Sequence, residues 1–214
     1  INYYSATHFL ERKEEFWPAD LHLVGKEILW FHTVIWQAML LSAKLPLPKK
    51  VYAHDFYTID GQKMSKSLGN TIPPKEMVNL FGVDGARYLI ARSFPSGDDA
   101  DIGIERFKER YNADLANNLG NLVSRICKLG EKLTVNSYEL RIEKKYKNLI
   151  DELKFDEAIK WVFENYIDKS NNRLNEVTPW KLEANDPKRI KVLTECAQNL
   201  RIAANYLMPI MPEI

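Results

Sequence analysis

Cysteine is almost missing from this chain: Cys127 and Cys196 are the only two in 214 residues, and neither sits in a C-x-x-C spacing. A disulfide framework or a zinc knuckle built from these residues is excluded, and the expectation is a reducing, cytoplasmic location. Long apolar runs are missing too. The greasiest stretch, Ile28 to Leu41, is interrupted by His32, Thr33 and Gln37 and falls short of the ~20 residues that cross a bilayer. No leader of basic then apolar residues opens the chain, so no membrane partner is expected. Net charge is small, +1 overall and +1, −2 and +2 for residues 1–72, 73–115 and 116–214. No part has the basic excess of a general nucleic-acid binder, so any RNA contact must rest on local residues. Repeats and low-complexity segments are absent.

With 45% hydrophobic and 28% charged residues, the sequence has the material for a packed core. It opens on Ile1 rather than Met, which suggests a piece of a longer polypeptide. Asp20 to Gly25 is a short apolar run ending in glycine, followed by nearly continuous apolar residues from Lys26 to Ala43. Strand, glycine turn and buried helix make the βα unit of a parallel sheet. Leu45-Pro46-Leu47-Pro48 stops that helix. Val51 to Ile59 reads as a second strand, closed by the turn pair Asp60-Gly61. From Thr71 onward the pattern is helical: Pro74 suits a first turn, Gly82 marks a break, Val83 to Phe94 is a second helix, and Pro95 to Asp99 is a loop. Beyond Ile102 three long helical stretches follow, Glu105–Leu133, Tyr146–Leu174 and Pro187–Met208. Two strands and one helix cannot cover both faces of a parallel sheet, so further strands are expected upstream of Ile1.

The stretch Gly61 to Asn70 (GQKMSKSLGN) carries the chemistry. It places two lysines three apart among small hydroxyl residues, with a glycine near each end. Glycines let such a loop move, and ammonium and backbone N–H groups are what a polyphosphate requires. The loop leaves the carboxyl end of a parallel strand, where open α/β sheets bind ligands. A generic K-x-x-K loop would be a solvated turn; the five specified residues Lys-Met-Ser-Lys-Ser in a strand–loop–helix context are a different matter.

That pentapeptide resembles the signature of class I aminoacyl-tRNA synthetases. Residues 16–43 (FWPADLHLVGKEILWFHTVIWQAMLLSA), residues 111–125 (YNADLANNLGNLVSR) and Pro179-Trp180 further resemble the methionyl-tRNA synthetases of bacterial type. The resemblance covers essentially the whole chain. It implies the second part of a Rossmann-type parallel sheet (1–72), a stem-contact region (73–115) and a helical-bundle anticodon-binding domain (116–214). It implies ATP-dependent activation of L-methionine to methionyl-adenylate and transfer to tRNA(Met), with Mg as the nucleotide's companion. Lys63 and Lys66 would be the catalytic cations. Gly25, Glu27, Tyr57, Lys63, Met64, Ser65, Lys66 and Ser67 would contact ATP, with Gly25 and Glu27 at the ribose and the Tyr57 backbone at adenine. Tyr3, Ile28, Phe31 and His32 would border the methionine side chain, where a thioether suits aromatic edges and one polar group. Read without the resemblance, His32 is a hydrogen-bonded core histidine, like His8, His22 and His54.

In the helical half, Asn121 and Arg125 lie one turn apart on one face. Asn reads base edges, Arg adds planar donors, and Trp180 after Pro179 offers a platform for an unstacked base. Each alone could be ordinary: a capping Asn, a surface Arg–Asp pair, a core Trp. The resemblance implies that Asn121, Arg125, Pro179 and Trp180 read the anticodon. Lys128 and Lys132 could meet phosphates or form a solvated face, and Arg87, Arg92, Arg106 and Arg110 fall in the region that touches the inner side of the tRNA. The family's His-x-Gly-His motif and its zinc knuckle are absent from this sequence, so no metal site is expected, zinc belongs to the absent part if anywhere, and the segment alone is expected not to activate methionine. The oligomer would be a monomer or homodimer. Two other readings are a tRNA-binding module without catalysis, and a class I synthetase for a branched aliphatic amino acid.

Overall fold

The computed structural model describes residues 2–9, 16–59, 61–65, 67–93, 97–130 and 141–214, and for 7–9 the backbone only. Asp60, Lys66, Pro95, Ser96, Lys132 and the side chain of His8 therefore lie outside the described residues, as does the end of the helix expected to reach Leu133. The chain divides into two compact units, residues 1–56 with Gly97–Asp99, and Tyr57–Ser96 with Ala100–Ile214.

The first unit begins with α1 (Asn2–Phe9). Strand β1 (His22–Gly25) then pairs in parallel with β2 (Val51–His54), from His22 opposite Val51 to Gly25 opposite His54. Between them run a 3₁₀ turn (Lys26–Ile28), a wide π-type turn (Phe31–Ile35) and α2 (Trp36–Ser42), the strand–helix–strand order suggested by the sequence. Lys44, at φ 55°, turns the chain after α2, and the proline segment returns it to the strand. Trp17, Trp36 and Leu40 form the buried centre, and the Trp17 Nε1–H donates to the Pro46 carbonyl at 3.0 Å. Lys26 pairs with Asp99 at 2.5 Å and with Asp55 at 3.4 Å, its ammonium 4.8 Å from the Phe56 ring centre. The helix is greasy on faces this unit does not cover: Trp30 is 64% and Phe31 58% exposed.

Val51 to Ile59 is not one strand but two, because the chain leaves the ladder at Asp55 and Phe56. The Phe56 N–H donates to the Asp99 carboxylate at 2.8 Å, and Asp55 turns to Lys26. Those groups are satisfied by side chains instead of by a neighbouring strand.

In the second unit β3 (Tyr57–Ile59) is the middle of a three-stranded sheet, antiparallel to β4 (Gln62–Lys63) and parallel to β5 (Ala100–Asp101). Helix α3 (Pro74–Arg92) starts with proline in its first turn and is interrupted at Gly82, whose φ of 70° and ψ of 174° only glycine adopts easily. Helix α4 (Ile104–Arg110) runs through a π-type stretch (Tyr111–Gly120) into α5 (Asn121–Leu129). The expected helix Tyr146–Leu174 is split. Helix α6 (Lys144–Asp151) ends where Leu153 takes φ 63°, and α7 (Phe155–Val162) begins anew. Asp156 and Glu157 in that first turn favour the fresh start. Through a π-type turn (Phe163–Ile167) the chain enters α8 (Asp168–Val177), and after a 3₁₀ turn (Pro179–Lys181) it closes with α9 (Pro187–Leu207). Asp186 caps α9 by accepting from the backbone of Lys188 and Arg189.

One apolar core runs through the second unit, with Tyr88, Leu89, Leu122, Ile159, Ile167, Leu174, Leu193 and Leu207 fully buried. Each such side chain contributes roughly 1.5–3 kcal/mol relative to exposure. The architecture is thus α/β followed by helices. Among the described residues no helix is long and apolar enough to cross a membrane.

Candidate functional site

Three places collect the residues singled out by the sequence. The first lies in the α/β unit. Tyr3, Ile28, Phe31 and His32, joined by Ile35 and Met39, line a cavity of about 540 Å³. His32 is buried but not idle. Its Nδ1 lies 2.9 Å from the Ile28 carbonyl, which can only accept, so Nδ1 carries the proton; Nε2 then accepts from the Tyr3 hydroxyl at 2.9 Å. Behind it His22 is buried among the rings of Tyr3, Trp17 and His32, and its Nε2 has no partner among the described residues. Burial, then the neighbouring His32, pushes the His22 pKa below its ordinary value. At the end of β1, the Glu27 carboxylate folds back over Gly25, so that a Cβ there would sit 2.4 Å from Glu27 Oε2. Glycine makes room for the carboxylate in the turn that opens the helix.

The second place is the lysine loop. Thr58 stands opposite Lys63 and Ile59 opposite Gln62 across the β3–β4 hairpin, whose turn uses Gly61 at φ 74°. Lys63 is exposed; Met64 and Ser65 are half-buried, and Ser67 is exposed. Asn70 ties the loop across its mouth: its Oδ1 accepts from the Ser65 N–H at 2.8 Å, and its Nδ2 donates to the Lys63 carbonyl at 3.4 Å. The Ser65 Oγ lies 3.0 Å from the Ser67 Oγ and accepts from the Leu68 N–H. Tyr57 contributes backbone at the base, where its carbonyl accepts from Met64. Its side chain packs on the core, and burial raises its pKa.

The third place is at the end of the helical part. Asn121 is exposed, and Arg125, one turn on, donates from Nη1 to the Asn175 Oδ1 at 3.2 Å. Asn175 stands four residues before Pro179, on the helix that ends in Thr178 at φ 48°. Pro179 is fully buried while Trp180 is 46% exposed, so this tryptophan is not a core residue. Arg189 stitches the place together, donating to the Leu182 carbonyl at 2.8 Å and to the Leu129 carbonyl at 3.4 Å. The structure therefore brings Arg125 to the helix that leads into Pro179-Trp180.

Two arginines of the region between have internal partners. Arg87 donates to the carbonyls of Ile210 and Pro209, and Arg106 pairs with Asp101 at 2.8 Å. Sequence reasoning passed over Asn70, Asp101, Asn175 and Arg189. Asn70 follows Gly69 in a loop-type pair that could have flagged it. The others each also reach a partner 40 to 60 residues away, for which a single sequence gives no signal.

The sequence profile described as tRNA synthetases class I (M) matches residues 1–127, more than half of the chain. The chain belongs to that family. It is 38% identical to the methionine–tRNA ligase of Caldanaerobacter subterraneus subsp. tengcongensis, over 99% of this chain and 36% of that protein. It is equally 38% identical to that of Thermotoga maritima, over 100% and 37%. Among solved structures it resembles Mycobacterium tuberculosis methionyl-tRNA synthetase in complex with methionyl-adenylate, with a TM-score of 0.85 and 31% identity over 99% of this chain and 46% of that one. The chain thus spans a little over a third of the two ligases and just under half of the chain in that structure.

Proposed function

We propose that this chain is the part of a methionine–tRNA ligase that holds the lysine loop, walls of the methionine and ribose sites, and the anticodon-reading helices. In this reading residues 1–72 are the second part of a Rossmann-type domain, 73–115 the stem-contact region and 116–214 a helical-bundle anticodon domain. The whole protein is cytoplasmic and works on ATP, L-methionine and tRNA(Met). The methionine carboxylate attacks the α-phosphorus in line, and the bond to the bridging oxygen breaks as pyrophosphate leaves. A ribose hydroxyl of the tRNA then attacks the carbonyl carbon, and AMP departs.

Each residue has a task. Lys63 and Lys66 stabilise the charge on the phosphates as it develops, with Met64, Ser65 and Ser67 presenting loop backbone; losing one such contact costs roughly 3–4 kcal/mol of transition-state stabilisation. Gly25 and Glu27 hold the ribose, the backbone of Tyr57 meets adenine, and Tyr3, Ile28, Phe31 and His32 hold the methionine side chain. Asn121, Arg125, Pro179 and Trp180 read the anticodon by hydrogen bonds and stacking. Mg²⁺ would travel with ATP as the companion of its phosphates.

The observation that carries this reading is the Asn70-tied loop bearing Lys63, in a chain of this family. The experiment is ATP–pyrophosphate exchange. The complete protein carrying this segment should exchange with L-methionine and not with isoleucine, leucine or valine. Residues 1–214 alone, without His-x-Gly-His, should not exchange. Exchange driven by a branched aliphatic amino acid would overturn the methionine assignment.

A further inference from the structure

The lysine loop is only as well placed as the hairpin that carries it, and one carboxylate bridges the strand and the turn of that hairpin to β5. Asp101 lies on β5, opposite Thr58 in the parallel pairing with β3. Its Oδ1 accepts from the Thr58 hydroxyl at 3.1 Å and from the Gly61 N–H, at the turn of the hairpin, at 3.3 Å. Its Oδ2 pairs with the Arg106 Nη2 at 2.8 Å, and Arg106 Nη1 also donates to the Asp101 carbonyl at 3.4 Å. Thr58 is in turn the cross-strand partner of Lys63. A line of contacts therefore runs from Arg106 on α4, through Asp101, to both the strand and the turn from which the loop springs.

We infer that Asp101, fixed by Arg106, is a positioning residue for the lysine loop in adenylate formation; this rests on the proposed synthetase reading. Two short strands joined by a tight turn are marginal alone. Without the carboxylate the turn keeps its glycine but loses its anchor, and the hairpin can tilt. A tilt of about 1 Å at a cation that must meet phosphate oxygens costs on the order of 100-fold in rate. Arg106 supplies a second function: it neutralises the carboxylate, so the base of a loop meant for a polyanion carries no uncompensated negative charge. Asp101 touches no substrate in this account; it acts through Lys63 and its neighbours.

The test uses the complete protein and ATP–pyrophosphate exchange with methionine. Asp101→Ala, which removes the Oδ1 acceptor that asparagine would keep, should lower kcat on the order of 10-fold to 100-fold while leaving the KM for methionine unchanged. The decisive readout is coupling. In a Lys63→Ala background the same substitution should cost markedly less than it does alone, with only Lys66 left to misplace, because residues acting as one unit are non-additive. A merely structural role would lower kcat by the same factor in both backgrounds, and that result overturns the inference, as does an Asp101→Ala protein with unchanged kcat. Should Asp101→Ala fail to fold, Arg106→Gln, which leaves the hairpin bonds of Asp101 in place, decides in the same two backgrounds. A smaller loss of kcat that shrinks further with Lys63→Ala supports the inference, and unchanged kcat sinks it. An unsubstituted protein lacking methionine-dependent exchange would instead defeat the synthetase reading itself, and this inference with it.

Discussion

The Tyr3 hydroxyl and the His32 imidazole lie 2.9 Å apart across 29 residues of sequence, and that bond fixes which nitrogen of the histidine faces the cavity wall. With Nδ1–H committed to the Ile28 carbonyl, Nε2 has one donor, and it is Tyr3. Removing that donor leaves a buried acceptor unpaired, a cost of about 1–3 kcal/mol. In the complete protein, Tyr3→Phe should therefore raise the KM for methionine about 5-fold to 100-fold with the KM for ATP unchanged. Equal effects on both substrates would remove Tyr3 and His32 from the methionine site.

His22 supplies a pH signature of the α/β unit. Its pKa is lowered by burial and by His32, so the folded state resists taking up the proton that the unfolded chain accepts near the ordinary value of 6.5. Below that pH the unfolded state binds more protons, and stability falls as pH falls. Stability is unaffected by this group well above 6.5. Urea melts of the complete protein at about pH 5 and about pH 8 should show lower stability at the acid end, and His22→Gln should flatten the difference. An unchanged slope in the variant would show that other groups carry the dependence.

Much of this fold was readable because it rests on short-range rules. Gly25 after an apolar run, the prolines after α2, Pro74 in a first turn and Gly82 at a break are local choices that a local pattern reports. The split of Val51–Ile59 was not legible, since Asp55 and Phe56 leave the ladder for Lys26 and Asp99, and the latter lies 43 residues away from Phe56. The break at Leu153 was equally hidden, because leucine gives no sign that it will take a positive φ. For the site, the pentapeptide and the family likeness pointed to the loop residues, whereas the ties that hold them, through Asn70, Asp101 and Asn175, are products of tertiary structure.

Gly85 shows how packing overrides helix propensity. It is buried on α3, and a Cβ there would lie 2.9 Å from Tyr111 Cε2 and 3.1 Å from Phe81 Cβ. Alanine would gain up to about 1 kcal/mol of helix propensity. Overpacking costs about 1–3 kcal/mol, and Phe81 Cβ, one bond from the backbone, cannot retreat. The clash wins. Gly85→Ala should lower Tm by a few degrees, about 2–4 °C per kcal/mol for a domain of this size. Gly103→Ser, at the N-cap of α4 where a Cβ meets nothing within 4 Å and serine caps at least as well as glycine, is the control and should not lower Tm. A Tm rise in Gly85→Ala would mean that Tyr111 moves aside freely.

Trp180 separates binding from stability. Its neighbour Pro179 is fully buried and anchors the turn, while 46% of Trp180 faces solvent. Truncating an exposed ring away from the core should change stability by no more than about 0.5 kcal/mol. Stacking of a base on such a ring is worth about 1–3 kcal/mol. In the complete protein, Trp180→Ala should therefore raise the KM for tRNA(Met) about 5-fold to 150-fold, with methionine-dependent ATP–pyrophosphate exchange and Tm both unchanged. Asn175→Ala should act in the same direction, because it frees the Arg125 guanidinium that Asn175 now orients at 3.2 Å. A tRNA with an altered anticodon supplies the control: its already weak charging should respond less to Trp180→Ala than that of tRNA(Met) does. If both tRNAs lost charging equally, Trp180 would be supporting the helices rather than reading a base.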